Sequence, residues 1–540
     1  MKITDKSQRI IAASVISAAA IYPLSAEAKT APKQPNIIYI MSDDHAAHAI
    51  GAYGGRLAPL NPTPNIDAFA REAVVFDNCF CSNSISAPSR ATIMTGQHSH
   101  VNGVLTLGET LQESQLYLAN EMKDLGYQTA FIGKWHLGCE PSVFDFYSMF
   151  SGGNGQGTYF DPSFATSDIK DKPFPKNEKF YKGHSSDVVT DIALDWFENK
   201  RADDKPFFVM FQYKAPHDMF QAAPRYKDYL ADVDIPLPET LLDRSKFGSA
   251  GSRGINNSQD SIIGTSISAR HNNRPYTQLF RIKEQGSDEK NTIASYNEYL
   301  RRYLRCVKGI DDNIERLFNY LKENGLWDKC IIVYTADQGM ILGEHDFQDK
   351  RWMYETSIRM PFIMRVPKSK LNGTHNDRML GNVDFAPTLL ALAGRQNKPD
   401  YMQGLDFSPI FSGAEATSER KTHYYRYWMH MEHHDIPAHF GIRTKEYKLI
   451  FFYGRHYKPE KEWTKSMAWM KKSNFIVQTP VAFELYDIKN DPHETTNLAQ
   501  NPKYASVLAE LKKELIATKL KCGDNDATNP EILKIIDLNF

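Results

Sequence analysis

Short, almost uninterrupted apolar runs punctuate the chain from residue 36 onwards. They are NIIYIM (36–41), TAFIG (129–133), PFFVMFQY (206–213), KCIIVYT (329–335) and MPFIMRV (360–366). Runs this short and this continuous predict strands buried on both faces, as in a parallel sheet. Between them, apolar residues recur at helical spacing in TPNIDAFAREAV (63–74), TLQESQLYLANEMKDLG (110–126) and SYNEYLRRYLRCVKGIDDNIERLFNYLKENG (295–325). Strand and helix in alternation predict an α/β fold whose large, mostly parallel sheet is sandwiched by helices.

Two regions break this rhythm. Residues 220–292 are polar and aperiodic, rich in Gly, Ser and Asn, and read as a long loop insertion, either a surface segment or a lid. Beyond about residue 412 the texture changes to THYYRYWMHM, FGIRT, YKLIFFYG and AFELYDI, followed by one helical stretch, NPKYASVLAELKKELIATKL. That predicts a smaller α+β subdomain of antiparallel strands and a helix over 413–540, after the main α/β domain over 29–412. The first 28 residues stand apart. Lys2, Lys6 and Arg9 precede an apolar run from Ile10 to about Leu24, and Ala26-Glu27-Ala28 offers a small-residue cleavage site. This is the pattern of a secretory signal cut after Ala28. It predicts a periplasmic or secreted protein, and no later segment is long and apolar enough to span a membrane.

Composition narrows the picture only slightly. The chain is 41% hydrophobic and 24% charged, with a formal net charge of −1, so neither nucleic acid nor an anionic membrane is favoured as a partner. Six cysteines in 540 residues are too sparse to be a disulfide framework, and most are expected to be buried free thiols.

Polar residues follow the predicted strands in a regular way. Ser42, Asp43 and Asp44 come after the first, Lys134 and His136 after the second, KAPH ending in His217 after the third, and Asp337 and Gln338 after the fourth. Taken singly each has an ordinary explanation, since Asp43-Asp44 can open a turn and a lone histidine usually serves packing. Taken together they fall on the carboxyl edge of one sheet, where open α/β folds bind ligands. Three aspartates and a glutamine amide form an all-oxygen donor set that hard cations such as Ca²⁺ or Mg²⁺ prefer, whereas zinc would want His or Cys. Arg90, Lys134, Lys350, His136 and His217 are available to surround an anion such as a sulfate or phosphate ester.

The stretch NCFCSNSISAPSRATIMTGQ (78–97) carries three candidate nucleophiles, Cys79, Cys81 and Ser86. Pro88 and Gly96 bracket a short helix, with Ser86 at its positive end. SAPSRATIMTG resembles the signature of the formylglycine-dependent sulfatases. NIIYIMSDDH, GKWHLG, KAPH, YTADQGMILGEHDFQDKRWMYETSIRMPFIMRVP and ELYDIKNDPHETTNLA resemble further blocks of that family in the family's order, together covering most of residues 35–500.

The resemblance implies an alkaline-phosphatase-like fold and a sulfuric ester hydrolase. It implies that Ser86 is oxidised by a formylglycine-generating maturation enzyme, whereas Cys79 and Cys81 are out of register with Pro88-Ser89-Arg90 and serve packing. It implies Asp43, Asp44, Asp337 and Gln338 as calcium ligands, the family more often having Asn in place of Gln338. Arg90 and Lys134 would hold the formylglycine and sulfate, His136 would orient the formylglycine hydroxyl, His217 would protonate the leaving group, and Lys350 would bind sulfate. The overall likeness is to bacterial glycan sulfatases that remove 6-O-sulfate from N-acetylglucosamine, so a sulfated carbohydrate is the expected substrate. Three other readings stay open at this stage: a sulfatase acting on another carbohydrate sulfate position, a phosphoesterase of the same superfamily, and a glycan-binding protein whose Ser86 is never matured.

Overall fold

The computed structural model describes residues 34–152, 155–260, 263–268, 280–414, 419–458 and 478–540. The expected signal segment lies outside the described residues, as do parts of the 220–292 insertion. Sixteen strands run in chain order: β1 Asn36–Ser42, β2 Val74–Phe80, β3 Gln128–Gly133, β4 Phe146–Phe150, β5 Ser163–Thr166, β6 Glu178–Phe180, β7 Phe207–Tyr213, β8 Cys330–Ala336, β9 Ile341–Leu342, β10 Gln348–Asp349, β11 Phe362–Arg365, β12 Thr374–Gly381, β13 Thr422–Tyr427, β14 His439–Thr444, β15 Tyr447–Phe452 and β16 Ala482–Asp487. Ten of them form one sheet in the order β12-β2-β11-β8-β1-β7-β3-β4-β5-β6. β1 pairs in parallel with both β7 and β8, and β3 with β7 and β4. β11 runs antiparallel to β8 and β2, and β5 antiparallel to β4 and β6, so the sheet is mixed and mostly parallel.

The continuous apolar runs have the cause inferred from the sequence, because the sheet is covered on both faces. Along β1, Ile37, Tyr39 and Met41 enter one core and Ile38 and Ile40 the other, all fully buried. Helices Ser86–Thr95, Leu118–Asp124 and Phe385–Leu392 cover the first face. Pro64–Ala70, Ser185–Asn199 and the long Asp288–Glu323 cover the second.

Three expectations need correction. Residues 110–117 are not helical: the Leu111 N–H donates to the Leu137 carbonyl, and the helix begins only at Leu118, where the Tyr117 N–H and the Asn120 side chain close its first turn. The helix expected over 63–74 stops at Ala70, because Val74 already opens β2. The long helix starts at Asp288, capped by the Ser287 hydroxyl, and so takes in the end of the insertion.

The rest of the described insertion is irregular but held down. Phe247 stacks on His345 at 3.8 Å between ring centroids, the Gly248 N–H donates to the Tyr486 hydroxyl, and the Gly264 N–H to the His434 carbonyl. The C-terminal part forms an antiparallel sheet, β13-β14-β15-β16. Its core is closed by two helices rather than the one expected, Ala505–Lys521 and Pro530–Asn539, through Leu511, Leu515 and Ile532. No helix among the described residues is long and apolar enough to cross a membrane.

Candidate active site

Strand register assembles the site. Ser42 lies beside Ala336 on one side and Tyr213 on the other, so Asp43, Asp337 and Lys214 leave the sheet at one level. Gly133 pairs with Gln212, and the Lys134 N–H donates to the Gln212 carbonyl at 2.8 Å. Gly133 has φ +108, and a Cβ there would come within 1.9 Å of the Gln212 carbonyl oxygen, so only glycine lets β3 end this close. Asp44 and His136 both adopt positive φ, 64° and 56°, turning their side chains at the sheet edge.

Ser86 is the first residue of the helix that ends at Thr95, with Gly96 as its left-handed cap. It is 2% exposed, and its Oγ donates to Asp43 Oδ1 at 3.0 Å. Lys134 Nζ bonds the other oxygen of Asp43, and Lys350 Nζ bonds both oxygens of Asp44. Arg90 lies between Asp337 and Asp43, with Nε 3.1 Å from Asp337 Oδ2 and Nη2 3.6 Å from Asp43 Oδ1, while Nη1 donates to the Gln212 side chain and the Lys134 carbonyl. His217 Nε2 is 3.8 Å from Asp44 Oδ2, and its Nδ1 lies 2.7 Å from Asp218 Oδ1. His136 Nε2 faces the Gln156 amide nitrogen at 3.1 Å. All ten residues singled out from the sequence therefore converge on one sheet edge.

Electrostatics follow from burial and neighbours. Burial favours a neutral Asp43, but Lys134, His217, Arg90 and Lys350 outweigh it and hold the carboxyl well below the usual carboxylate range. Burial, reinforced by the Asp43 charge, pushes Asp337 up to about 6. Burial brings Lys134 down to about 8 against the pull of Asp43. Burial, then the charges of Lys134 and Arg90, keep His136 well below its ordinary value and hence neutral.

The donor set fits a hard divalent cation. Carboxylate oxygens of Asp43 and Asp44 lie within 4.8 Å of one another, with a ring nitrogen of His217 equally near but kept for proton transfer rather than ligation. Asp337 Oδ1 approaches the same point, accepting the Asp44 N–H at 3.1 Å. Gln338 rests its amide nitrogen on Asp44 and Asp337, while its Oε1 is buried without a partner. Turning that amide over aims Oε1 at the two carboxylates, the orientation a bound cation requires.

Neither cysteine competes with Ser86. Cys79, in β2, and Cys81, just after it, are fully buried. Burial raises both thiols, Cys81 to about 12, which removes the thiolate that chemistry would need. All six cysteines are free.

Several neighbours were not singled out from the sequence. Arg351 pairs with Asp349 and donates to His433 Nδ1 at 3.2 Å, and His434 Nε2 is 3.5 Å from Asp349 Oδ2. The His-rich stretch WMHMEHHDIPAHF is thus drawn in beside Lys350, with His430, His434 and His439 at most 3% exposed, rather than forming a solvated loop. Lys214, first residue of KAPH, lies 5.2 Å from the Tyr159 ring centroid. Gln156 comes from a glycine-rich loop with no pattern to mark it.

The sulfatase family profile matches residues 35–395, well over half of the chain. The chain belongs to the sulfatase family. It is a sulfuric ester hydrolase with the alkaline-phosphatase-like sulfatase fold. A second profile, the C-terminal region of N-sulphoglucosamine sulphohydrolase, matches residues 343–465 of this sulfatase.

Among curated relatives, this sulfatase is 36% identical to an N-acetylglucosamine-6-O-sulfatase of Bacteroides thetaiotaomicron, over 93% of this chain and 89% of that one. It is 26% identical to human N-acetylglucosamine-6-sulfatase, over 72% of this chain and 66% of that one. A solved structure of a protein in complex with its substrate D-glucosamine-2-N,6-O-disulfate superposes with a TM-score of 0.77 at 34% identity, covering 92% of this chain and 99% of that one. A phosphonate monoester hydrolase of Silicibacter pomeroyi superposes at 0.64 with 19% identity, covering 92% and 96%, a likeness of fold alone.

Proposed function

We propose that this sulfatase is an exported enzyme that removes 6-O-sulfate from N-acetylglucosamine in a sulfated glycan, using a formylglycine made from Ser86 and a bound calcium ion. The observation that carries the reading is Ser86 itself. It sits at the first turn of a helix, hydrogen-bonded to a candidate cation ligand and encircled by Arg90, Lys134, His136, His217 and Lys350. The 6-O-sulfated glucosamine specificity of the relatives supplies the substrate class.

When present, formylglycine and calcium supply a geminal hydroxyl pair for attack on sulfur and sulfate release, with the cation polarising the sulfuryl oxygens. The remaining work falls to the chain. Arg90, Lys134 and Lys350, with the positive end of the Ser86–Thr95 helix, face the charge that develops on the sulfuryl oxygens. Asp218, against Nδ1 of His217, turns Nε2 towards the centre, where it protonates the departing sugar oxygen. Neutral His136 accepts or donates at the Ser86 position without adding charge. Asp349, Arg351 and His433 are placed to bind sugar hydroxyls beside the sulfate, because they adjoin Lys350.

The test is sulfate release from N-acetylglucosamine and galactosamine carrying sulfate at the 3-, 4- or 6-position, and from a 2-O-sulfated uronic acid, by enzyme matured in its native host. The 6-O-sulfated glucosamine is expected to turn over about 100-fold faster than the others. A preference for any other position rejects the substrate assignment.

A further inference from the structure

A cavity of about 560 Å³ opens where the large sheet meets the C-terminal sheet, and none of the ten site residues lines it. Its walls come from separate parts of the chain, among them Tyr53–Arg56 after β1, Leu237–Thr240 of the insertion, Glu355–Arg359 ahead of β11, Arg443 on β14 and His493 beyond β16. The volume is that of a small-ligand site, and junctions between structural units are where such sites tend to lie.

The charges in the wall are unevenly satisfied. Arg56 is paired with Glu344 at 2.5 Å, Arg443 with Glu355 at 3.3 Å, and Asp77 with His375 at 2.9 Å. Glu239 is exposed at the rim. Arg359 differs from the other two arginines. Among the described residues no carboxylate lies in ion-pair range of it; its buried Nε, like that of Arg56, has no hydrogen-bond partner. The guanidinium is instead held 5.5 Å over the Tyr53 ring, and its backbone is fixed by a bridge to Phe80. Beside it, Thr356 Oγ1 is likewise buried without a partner. Gly54 and Gly55 leave the mouth free of side chains, and Leu237, 40% exposed, gives it one apolar lip.

We propose that this cavity is a second, non-catalytic saccharide site that holds an anionic sugar residue of the same glycan, its sulfate or carboxylate on Arg359. A planar, preorganised guanidinium stacked on an aromatic ring is suited to an oxyanion. Thr356 adds a hydroxyl, and Tyr53 with Leu237 offers apolar surface to a sugar ring. The site would retain a polymer on the enzyme while a different residue of it occupies the Ser86 centre. The ligand class rests on the proposed sulfated-glycan function, whereas the cavity and its uncompensated arginine do not.

Hydrogen-exchange mass spectrometry on the full chain carrying Ser86→Ala tests this, with three probes: a tetrasaccharide containing 6-O-sulfated N-acetylglucosamine, its desulfated counterpart, and inorganic sulfate. The sulfated tetrasaccharide is expected to slow exchange in residues 51–56 and 237–241 as well as around His217, and the other two probes at the same concentration are not. Arg359→Gln should raise the concentration needed for the 51–56 protection about tenfold, the worth of one charge-assisted contact. Protection around His217 should be unchanged. Arg359→Lys and Thr356→Val, milder changes, should each give a smaller shift and serve if Arg359→Gln impairs folding.

Protection confined to the His217 region, protection at 51–56 that no variant alters, or full protection by inorganic sulfate alone would each overturn the proposal. A parallel assay of unsubstituted Ser86 enzyme on the 6-sulfated monosaccharide separates the two readings. Failure there with Arg359-dependent protection intact refutes the catalytic assignment and leaves the second site standing.

Discussion

Two clusters of buried charge, one at the edge of the large sheet and one behind the C-terminal sheet, are built from the same residue types for different ends. Around β15, Lys448 is fully buried and bonds Glu494 at 2.7 Å and Glu355 at 2.9 Å, while Arg443 closes the set on Glu355 at 3.3 Å. Two cations meet two carboxylates, and none of their side-chain polar atoms is left without a partner. At the other edge Arg90, Lys134 and Lys350 meet Asp43, Asp44 and Asp337 with equal formal balance, yet Gln338 Oε1 and His136 Nδ1 stay unsatisfied. Buried polar atoms left open are costly, so they mark places where another group belongs. Charge pairing alone therefore does not separate these two networks; the open Gln338 Oε1 and His136 Nδ1 do.

Mutation can separate them further. Arg90→Ala should be the most damaging change, costing about 3–5 kcal/mol by stranding Asp337 and Asp43 and abolishing sulfate release. Denaturant unfolding and turnover measured on one preparation check both halves. Lys448→Ala should cost a similar ~3–5 kcal/mol but leave kcat/KM per folded molecule unchanged; a large loss of kcat/KM would erase the contrast between the clusters. Chelation should lower Tm and activity together. Calcium restored to about 100 times its Kd should return about 2.7 kcal/mol, with magnesium less effective, and identical melts with and without chelator would count against the cation site.

The last effect concerns acid. Burial, then Arg420, holds His423 down to about 3, and burial holds His439 down to about 4 against the bond to the Pro437 carbonyl. Both folded values lie below the unfolded one of about 6.5, so the unfolded chain takes protons first. Their contribution is fully present above pH 6.5 and is lost as pH falls towards 3 or 4. Each should add about 1.4 kcal/mol per pH unit to the slope, and His423→Gln should flatten the measured slope by one proton.

Much of this molecule was legible in the sequence. β1, β3, β7 and β8 announced themselves because both of their faces are covered, and the polar residue after each strand fell where the register put it. β2 was harder, since VVFDNCF places half-buried Asp77 and Asn78 within the strand. β12 hid better still: THNDRMLG lies at the sheet edge and is exposed over its first half. The direction of β11 was also unreadable, because reversal is set by the connection through Glu355–Ile358 and leaves no mark on an apolar run. Within the site, Asp43, Asp44, Asp337, Gln338 and Ser86 belong to short blocks with a family pattern. Asp349 and Arg351 lie two residues apart inside such a block, but His433 joins them only when the C-terminal part folds back on the sheet, a contact no local pattern encodes.

The central claim is that Ser86 is the precursor of the working group and that the cysteines beside it are not. Peptide mass spectrometry of the segment spanning residues 78–97, from protein purified out of its native host, tests this directly. Loss of one hydrogen pair, localised by fragmentation to Ser86, is the predicted result. An intact serine in catalytically active protein would contradict the account.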